Sequence, residues 1–165
     1  MPSESDLKYT RKTAARSFNL AWDLLEKVRR TKKEDLMMLE LAHTSLRLWS
    51  LVGSPRNRAI GQWQVSRVYS ALGESKLALA FADACGKTCR ESGLADLEPT
   101  ADEAAARAYA VEGELRNAQR SLREAKEKLA KLRLDKEDTA VYLRQVRETE
   151  ALIRARRKSP SPADT

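Results

Sequence analysis

Apolar residues recur at spacings of three and four over most of this chain, which is the period of an amphipathic α-helix. In the first stretch, one apolar stripe is made by Phe18, Ala21, Trp22, Leu25 and Val28. No stretch alternates apolar and polar residues over the length of a strand. The pattern predicts an all-α protein of about seven helices, over residues 5–30, 32–52, 55–72, 75–92, 101–112, 114–133 and 136–157.

Residues that start and stop helices mark these boundaries. Thr31 with Glu34, and Thr100 with Glu103, have the spacing of a capping box, so each threonine is predicted to begin a helix. Gly53 is predicted to end the second helix in the left-handed conformation, which glycine adopts at little cost. Three further helices are predicted to stop at Gly73, Gly93 and Gly113.

Two segments superpose when the chain is compared with itself at a period of forty residues. They are RVYSALGESKLALAFADAC and RAYAVEGELRNAQRSLREA. In a helical hairpin the tyrosine fills the space near the turn, the glycine makes the turn, and small residues allow close approach of the two helices. The matched pairs are Arg67 with Arg107, Tyr69 with Tyr109, Gly73 with Gly113, Ala78 with Ala118, and Cys85 with Ala125.

This order of tyrosine, glycine and small residues resembles the tetratricopeptide repeat over about 59–126 of the chain. The resemblance implies stacked antiparallel helical hairpins in a single domain over residues 1–157, with the first two helices as a diverged hairpin and the seventh as a cap. The chain departs from the family where Gln62 and Asp102 stand in place of an aromatic residue. The proline that closes each unit is also missing, and the repeat exceeds the usual length of about thirty-four residues.

In this repeat family the first helix of each hairpin lines a concave groove. The resemblance therefore implies that Trp63, Arg67 and Arg107 face such a groove, with the two arginines about one repeat apart. Arg56 and Arg58 lie near the start of the third helix, where the helix dipole favours anions. Together they would bind a protein or peptide with an aromatic anchor and a carboxylate. The alternative is that Trp63 lies in the core and that the arginines pair with Glu103 or Asp102.

The net charge of +7 is unevenly distributed. Residues 1–33 carry nine basic and four acidic side chains, residues 34–113 carry eight and eleven, and residues 114–158 carry fourteen and eight. Two basic ends favour an anionic partner, although lysine and arginine also simply solvate exposed helices. A second hypothesis is therefore a nucleic-acid-associated protein that binds phosphates through its basic terminal helices. Aromatic residues that would stack on bases are not interleaved with the basic RARRK segment.

No arrangement of residues indicates catalysis, a cofactor or a metal. The single histidine, His43, has no sequence-local partner for a nucleophile relay, and a packed histidine is the favoured interpretation. Cys85 and Cys89 lie one helical turn apart, which favours small core residues over a disulfide framework or a zinc site. The phosphate-binding glycine loop and the nucleophile elbow are both missing. The sequence therefore predicts a binding protein and not an enzyme.

Location and assembly are less constrained by the sequence. The longest apolar stretches, such as LALAFADAC, are far shorter than a membrane span, and the first residues have no secretory pattern. A cytoplasmic protein is expected. The apolar seam of the last two helices either closes the stack or forms a homodimer surface through residues 114–157. Residues 158–165 are predicted to be a disordered tail.

Overall fold

A computed structural model of the protein describes residues 1–159, so most of the predicted tail lies outside the described residues. These residues form seven helices and no strand. The helices are α1 (Glu4–Leu25), α2 (Lys32–Val52), α3 (Pro55–Ala71), α4 (Ser75–Glu91), α5 (Glu98–Glu112), α6 (Leu115–Lys131) and α7 (Lys136–Lys158). Lys158, assigned to the tail from the sequence, is instead the last residue of α7.

The helices pack as three successive hairpins, α1 with α2, α3 with α4, and α5 with α6. The hairpins stack through α2 on α3 and α4 on α5. The odd-numbered helices also contact one another in order, α1 with α3, α3 with α5, and α5 with α7. They therefore form one layer and the even-numbered helices the other, which confirms the predicted all-α stack of antiparallel hairpins. Because α7 packs on α5 and α6, it covers the last hairpin.

Three glycines turn the chain between helices as predicted. Gly73, Gly93 and Gly113 have φ angles of 80°, 66° and 92°, which lie in the left-handed region. In each case the amide of the following residue donates to the carbonyl five residues earlier at 2.9 Å. This is the hydrogen bond of a Schellman motif, and it satisfies a carbonyl at the end of the helix.

Gly53 also ends its helix, but the predicted left-handed conformation is wrong. Its φ is −98° and its ψ is 178°, which is extended backbone that any residue adopts. Space is the constraint instead, because a Cβ at this position would lie 2.7 Å from the carbonyl oxygen of Trp49. The glycine is thus needed for close approach of the chain to the last turn of α2.

The predicted end of the first helix is too late. The helix stops at Leu25, and the Arg30 guanidinium folds back to donate to the Leu25 carbonyl at 3.3 Å and to Asp35 at 2.7 Å. Val28, which was counted in the apolar stripe, is almost fully exposed. The residues after the helix therefore cap it and connect it to α2, whose capping box at Thr31 and Glu34 is present as predicted.

The start of the fifth helix also differs from its prediction. The helix begins at Glu98, with Pro99 in its first turn, so Thr100 lies inside the helix and makes no capping box with Glu103. Glu103 is 2% exposed and receives hydrogen bonds from Arg107 instead. A capping carboxylate is solvated, whereas this one is part of the interior of the odd-helix layer.

The two segments that superpose in sequence have matching surroundings. Within the α3–α4 hairpin the Ser66 hydroxyl donates to the Ala78 carbonyl at 2.7 Å, and both residues are fully buried. The equivalent Ala106 and Ala118 of the next hairpin are fully buried too. Each repeat tyrosine faces the even-numbered helix of the preceding hairpin. Tyr69 contacts His43 of α2, and Tyr109 lines a small cavity together with Leu79 of α4.

His43 lies on α2 and packs against the second hairpin. Its Nε2 lies 2.9 Å from the Tyr69 hydroxyl, and its ring meets the rings of Tyr69 and Phe81 edge-on. Burial lowers the pKa of His43 below its usual value. Both cysteines are buried free thiols in the core with Trp63, as predicted for small core residues.

The stability of the protein is expected to decrease when His43 takes up a proton. Because the folded pKa is depressed, the unfolded chain binds this proton at higher pH than the folded chain does. The contribution is therefore fully present above about pH 6.5 and is lost as the pH falls through the folded pKa. Urea unfolding at pH 7.5 and 5.5 measures the difference, and His43→Gln is expected to reduce it. An unchanged difference in that variant would assign the effect to carboxylates.

Candidate partner-binding groove

The odd-helix layer carries an aromatic platform made by two tryptophans from different helices. Trp22 of α1 and Trp63 of α3 stack with ring centroids 5.4 Å apart at 28°. The guanidinium carbon of Arg67 lies 5.7 Å from the Trp22 ring centroid and 5.8 Å from that of Trp63. Gln64 ties the same two helices together by donating to the Phe18 carbonyl at 2.8 Å. The sequence prediction included Trp63 and missed its partner Trp22.

Arg67 and Arg107, the two aligned arginines, share two carboxylates. Arg67 Nη2 lies 3.1 Å from Glu148 Oε2, and its Nη1 lies 3.7 Å from Glu103 Oε1. Arg107 Nη2 lies 3.2 Å from Glu103 Oε1 and 3.3 Å from Glu148 Oε2. The Thr149 hydroxyl also donates to Glu103. These four charges connect α3, α5 and α7 and balance one another.

The structure thus places the two arginines next to each other but surrounds them with the protein's own carboxylates. Of the alternatives left open by the sequence, Glu103 is a partner of both arginines, while Asp102 pairs with Lys128 at 2.8 Å. Glu148 was not anticipated, since it lies 81 residues from Arg67. The only indication in the sequence was that a polar residue, Glu148, directly precedes Thr149 on the seventh helix. Both arginines also line a cavity of about 440 Å³, whose lining includes Glu148.

A cleft opens between α1 and α7 in front of the two tryptophans. It holds a cavity of about 320 Å³. The backbones of α1 and α7 approach no closer than 8 Å between Cα atoms, so side chains alone line the gap. Arg144 lies at this cleft and pairs loosely with Glu26 at 3.8 Å. The cavity is lined by Phe18, Asn19, Trp22, Asp23, Trp63, Val141, Arg144 and Gln145.

A second cavity of about 220 Å³ is also lined by Trp63. Arg56 borders it and is paired with Asp96 at 2.6 Å, a hydrogen bond that lowers the pKa of the Asp96 carboxyl. The Tyr142 hydroxyl donates to the Asp96 carbonyl at 2.6 Å and so attaches α7 to the loop before α5. Arg58 is exposed and lines neither cavity. The five predicted site residues are therefore divided among the charge network, this second cavity and open surface.

Residues 1–159 contain no candidate metal site and no candidate membrane span. Within this part of the chain, no group of three or more histidine, cysteine, aspartate or glutamate side chains is placed to hold a metal ion. None of the seven described helices combines the length and apolar character of a membrane span.

Comparison with known proteins adds no relative. No protein-family model, no curated protein and no solved structure matches the chain.

Proposed function

We propose that this chain is a tetratricopeptide-like stack that binds a protein or peptide through the cleft between α1 and α7. The single observation that carries the proposal is the cavity of about 320 Å³ in front of the stacked Trp22 and Trp63 rings. A concave site with an aromatic surface and a few polar groups at its edge is the usual form of a ligand site. Trp63 is a core residue at 8% exposed, and it supports Trp22 at the bottom of the cleft.

The size and shape of the cleft favour an extended segment with one bulky apolar side chain. Trp22 is half-buried and supplies the accessible aromatic surface, and the separated backbones of α1 and α7 leave room for a side chain to enter between them. Aromatic and arginine residues contribute most of the binding energy in protein interfaces. An apolar anchor buried against Trp22 and Trp63 would therefore supply most of the affinity.

The charged groups at the cleft favour a carboxylate beside that anchor. Arg144 is an exposed cation at the cleft, and its pairs with Glu26 and Glu148 have long distances of 3.8 and 4.0 Å. Solvent-exposed pairs of this kind contribute little, so an incoming carboxylate exchanges for them readily. Arg67 lies behind the tryptophans and stabilises the aromatic floor through its cation–π contacts.

The proposed role is binding without catalysis, in a reducing, cytoplasmic location. The nearest cluster of titratable groups is the balanced network of Arg67, Glu103, Arg107 and Glu148. Neither cysteine lines the cleft, and the two free thiols support a reducing compartment. A homodimer through residues 114–157 stays a prediction of the sequence.

Blocking the cleft is expected to abolish peptide binding. Val141 and Leu143 are exposed residues of α7, at 47% and 39%, but only Val141 lines the cleft. Peptides selected from a random display library on the wild-type protein are expected to carry a bulky apolar residue beside an aspartate or glutamate. Their affinity should fall at least about tenfold for Val141→Arg, because the introduced side chain occupies the cavity and its charge is costly to bury.

The matched control is Leu143→Arg, which adds the same charge to the same helix outside the cleft. It is expected to bind the selected peptides as the wild-type protein does. Equal losses in both variants would contradict the proposed site, as would a selection that returns no peptide with a common anchor.

A further inference from the structure

A second cleft, between α6 and α7, is separate from the proposed groove. It holds a cavity of about 420 Å³. The floor is apolar, since Leu122 and Ile153 are both buried. The cavity is lined by Gln119, Leu122, Arg123, Lys126, Glu150, Ile153, Arg154 and Arg157.

The charges around this cleft do not balance. Four of the lining side chains are cations and one is an anion. Lys126 pairs with that anion, Glu150. The guanidinium groups of Arg123, Arg154 and Arg157 have no ion pair within residues 1–159. Arg157 lies against the amide of Gln119, a neutral partner that leaves its charge uncompensated.

On the other side of α6, a basic residue with only a structural role has carboxylate partners. Lys128 faces α5 and pairs with Asp102 at 2.8 Å and with Glu98 at 3.1 Å. Those hydrogen bonds raise the pKa of Lys128 in spite of its partial burial. On the side of α6 that faces α7, Lys126 has Glu150 as its partner, whereas Arg123 has no ion pair within residues 1–159. Like charges on facing helices repel one another, so an anion bound between them would stabilise this end of the stack.

The chemistry of the lining selects the class of anion. Guanidinium groups bind phosphate oxygens through paired hydrogen bonds, and the exposed side chains of Arg123, Arg154 and Arg157 are accessible to an anion from solvent. No aromatic side chain lines the cleft, so it offers no surface for stacking a base. We propose that the α6–α7 cleft is a binding site for consecutive phosphate groups, held by Arg123, Arg154 and Arg157. Those phosphates come from a free oligophosphate or from the backbone of a single-stranded nucleic acid.

Binding of two probes tests the site and separates the two sources. The probes are sodium tripolyphosphate and a fluorescent ten-nucleotide oligouridylate, each titrated with the full chain at several salt concentrations. At least one probe is expected to bind at about 50 mM salt. Binding of tripolyphosphate alone identifies a free oligophosphate. Tighter binding of the oligonucleotide identifies the nucleic-acid backbone. No binding of either probe at this salt concentration would overturn the proposal.

The variant Arg123→Gln/Arg154→Gln removes one guanidinium from each helix of the cleft. It is expected to lower affinity at least about tenfold. For the oligonucleotide, the slope of log K against log salt should become shallower by about 1.4, or roughly 0.7 for each lost phosphate contact to a single strand. The control Arg16→Gln/Arg47→Gln removes the same charge from exposed positions of α1 and α2. Equal loss in both variants would show attraction by net charge alone.

Stability and groove binding provide two independent checks. Since the cleft variant removes repulsion between like charges, its melting temperature is expected to equal or exceed that of the wild-type protein, so weaker binding cannot be attributed to unfolding. Val141→Arg, which blocks the groove, is expected to leave phosphate binding unchanged. The phosphate site and the proposed peptide groove can thus fail separately.

Discussion

Replacing Glu103 with alanine is expected to destabilise the protein by about 3–5 kcal/mol. Glu103 is 2% exposed and Arg67 is 8% exposed. Without this carboxylate, two guanidinium groups from neighbouring hairpins would face each other in the interior with only Glu148 between them. An unpaired buried charge is among the most costly changes that a single substitution makes. Urea unfolding at pH 7 measures the free energy of unfolding.

The matched variant is Glu148→Ala, which removes the other carboxylate of the same network. Its side chain is 43% exposed, so water can replace it around the arginines. The expected loss is about 1 kcal/mol or less. If the two variants were equally stable, the network would contribute through its exposed part, and the buried position of Glu103 would have no energetic importance.

Replacing Trp63 with alanine is expected to cost about 3–5 kcal/mol of unfolding free energy. The indole is buried and stacks on Trp22 across the α1–α3 contact, and it lies beneath the Arg67 guanidinium. Its removal would enlarge the two cavities that it lines. Chemical denaturation reports the stability, and near-UV circular dichroism reports the loss of the tryptophan pair.

Replacing Trp63 with phenylalanine distinguishes the contribution of packing to stability from that of hydrogen bonding. The Trp63 Nε1 is buried and has no hydrogen-bond partner within residues 1–159. Trp63→Phe therefore gives up volume but no hydrogen bond, and it retains a ring that can stack on Trp22. We expect a clearly smaller loss than for alanine. Equal losses would show that the indole N–H has a partner and that stacking contributes little.

Local signals predicted most of the helices and turns correctly. The turns at Gly73, Gly93 and Gly113 depend on hydrogen bonds that span five residues, so neighbouring residues determine them. The errors arose where other residues compete with the predicted local interaction. Thr100 and Glu103 have the spacing of a capping box, but Pro99 starts the helix earlier and Glu103 has buried arginine partners. The capping-box spacing contains no information about a distant partner such as Arg67, which also pairs with Glu103.

The candidate groove likewise combines features that the sequence predicted with features that it did not. Arg67 and Arg107, which the repeat alignment matches, lie on α3 and α5 of the odd-helix layer and share two carboxylates. Glu148, which joins them, comes from a helix outside the repeat. The apolar stripe of that helix suits either closure of the stack or a second copy of the chain. The stripe alone could not show whether α7 packs on the stack or on a second copy of the chain.

The sequence by itself determined the helices, their turns and the pairing of successive helices into hairpins, because these depend on residues close together in the chain. The tertiary structure alone decided which carboxylates reach the aligned arginines and where α7 leaves clefts. It also decided that three guanidinium groups face one of those clefts without a carboxylate partner from residues 1–159. The physical reason is that the side of a helix that meets a neighbour depends on packing between segments far apart in sequence, and these sites form where such packing is incomplete.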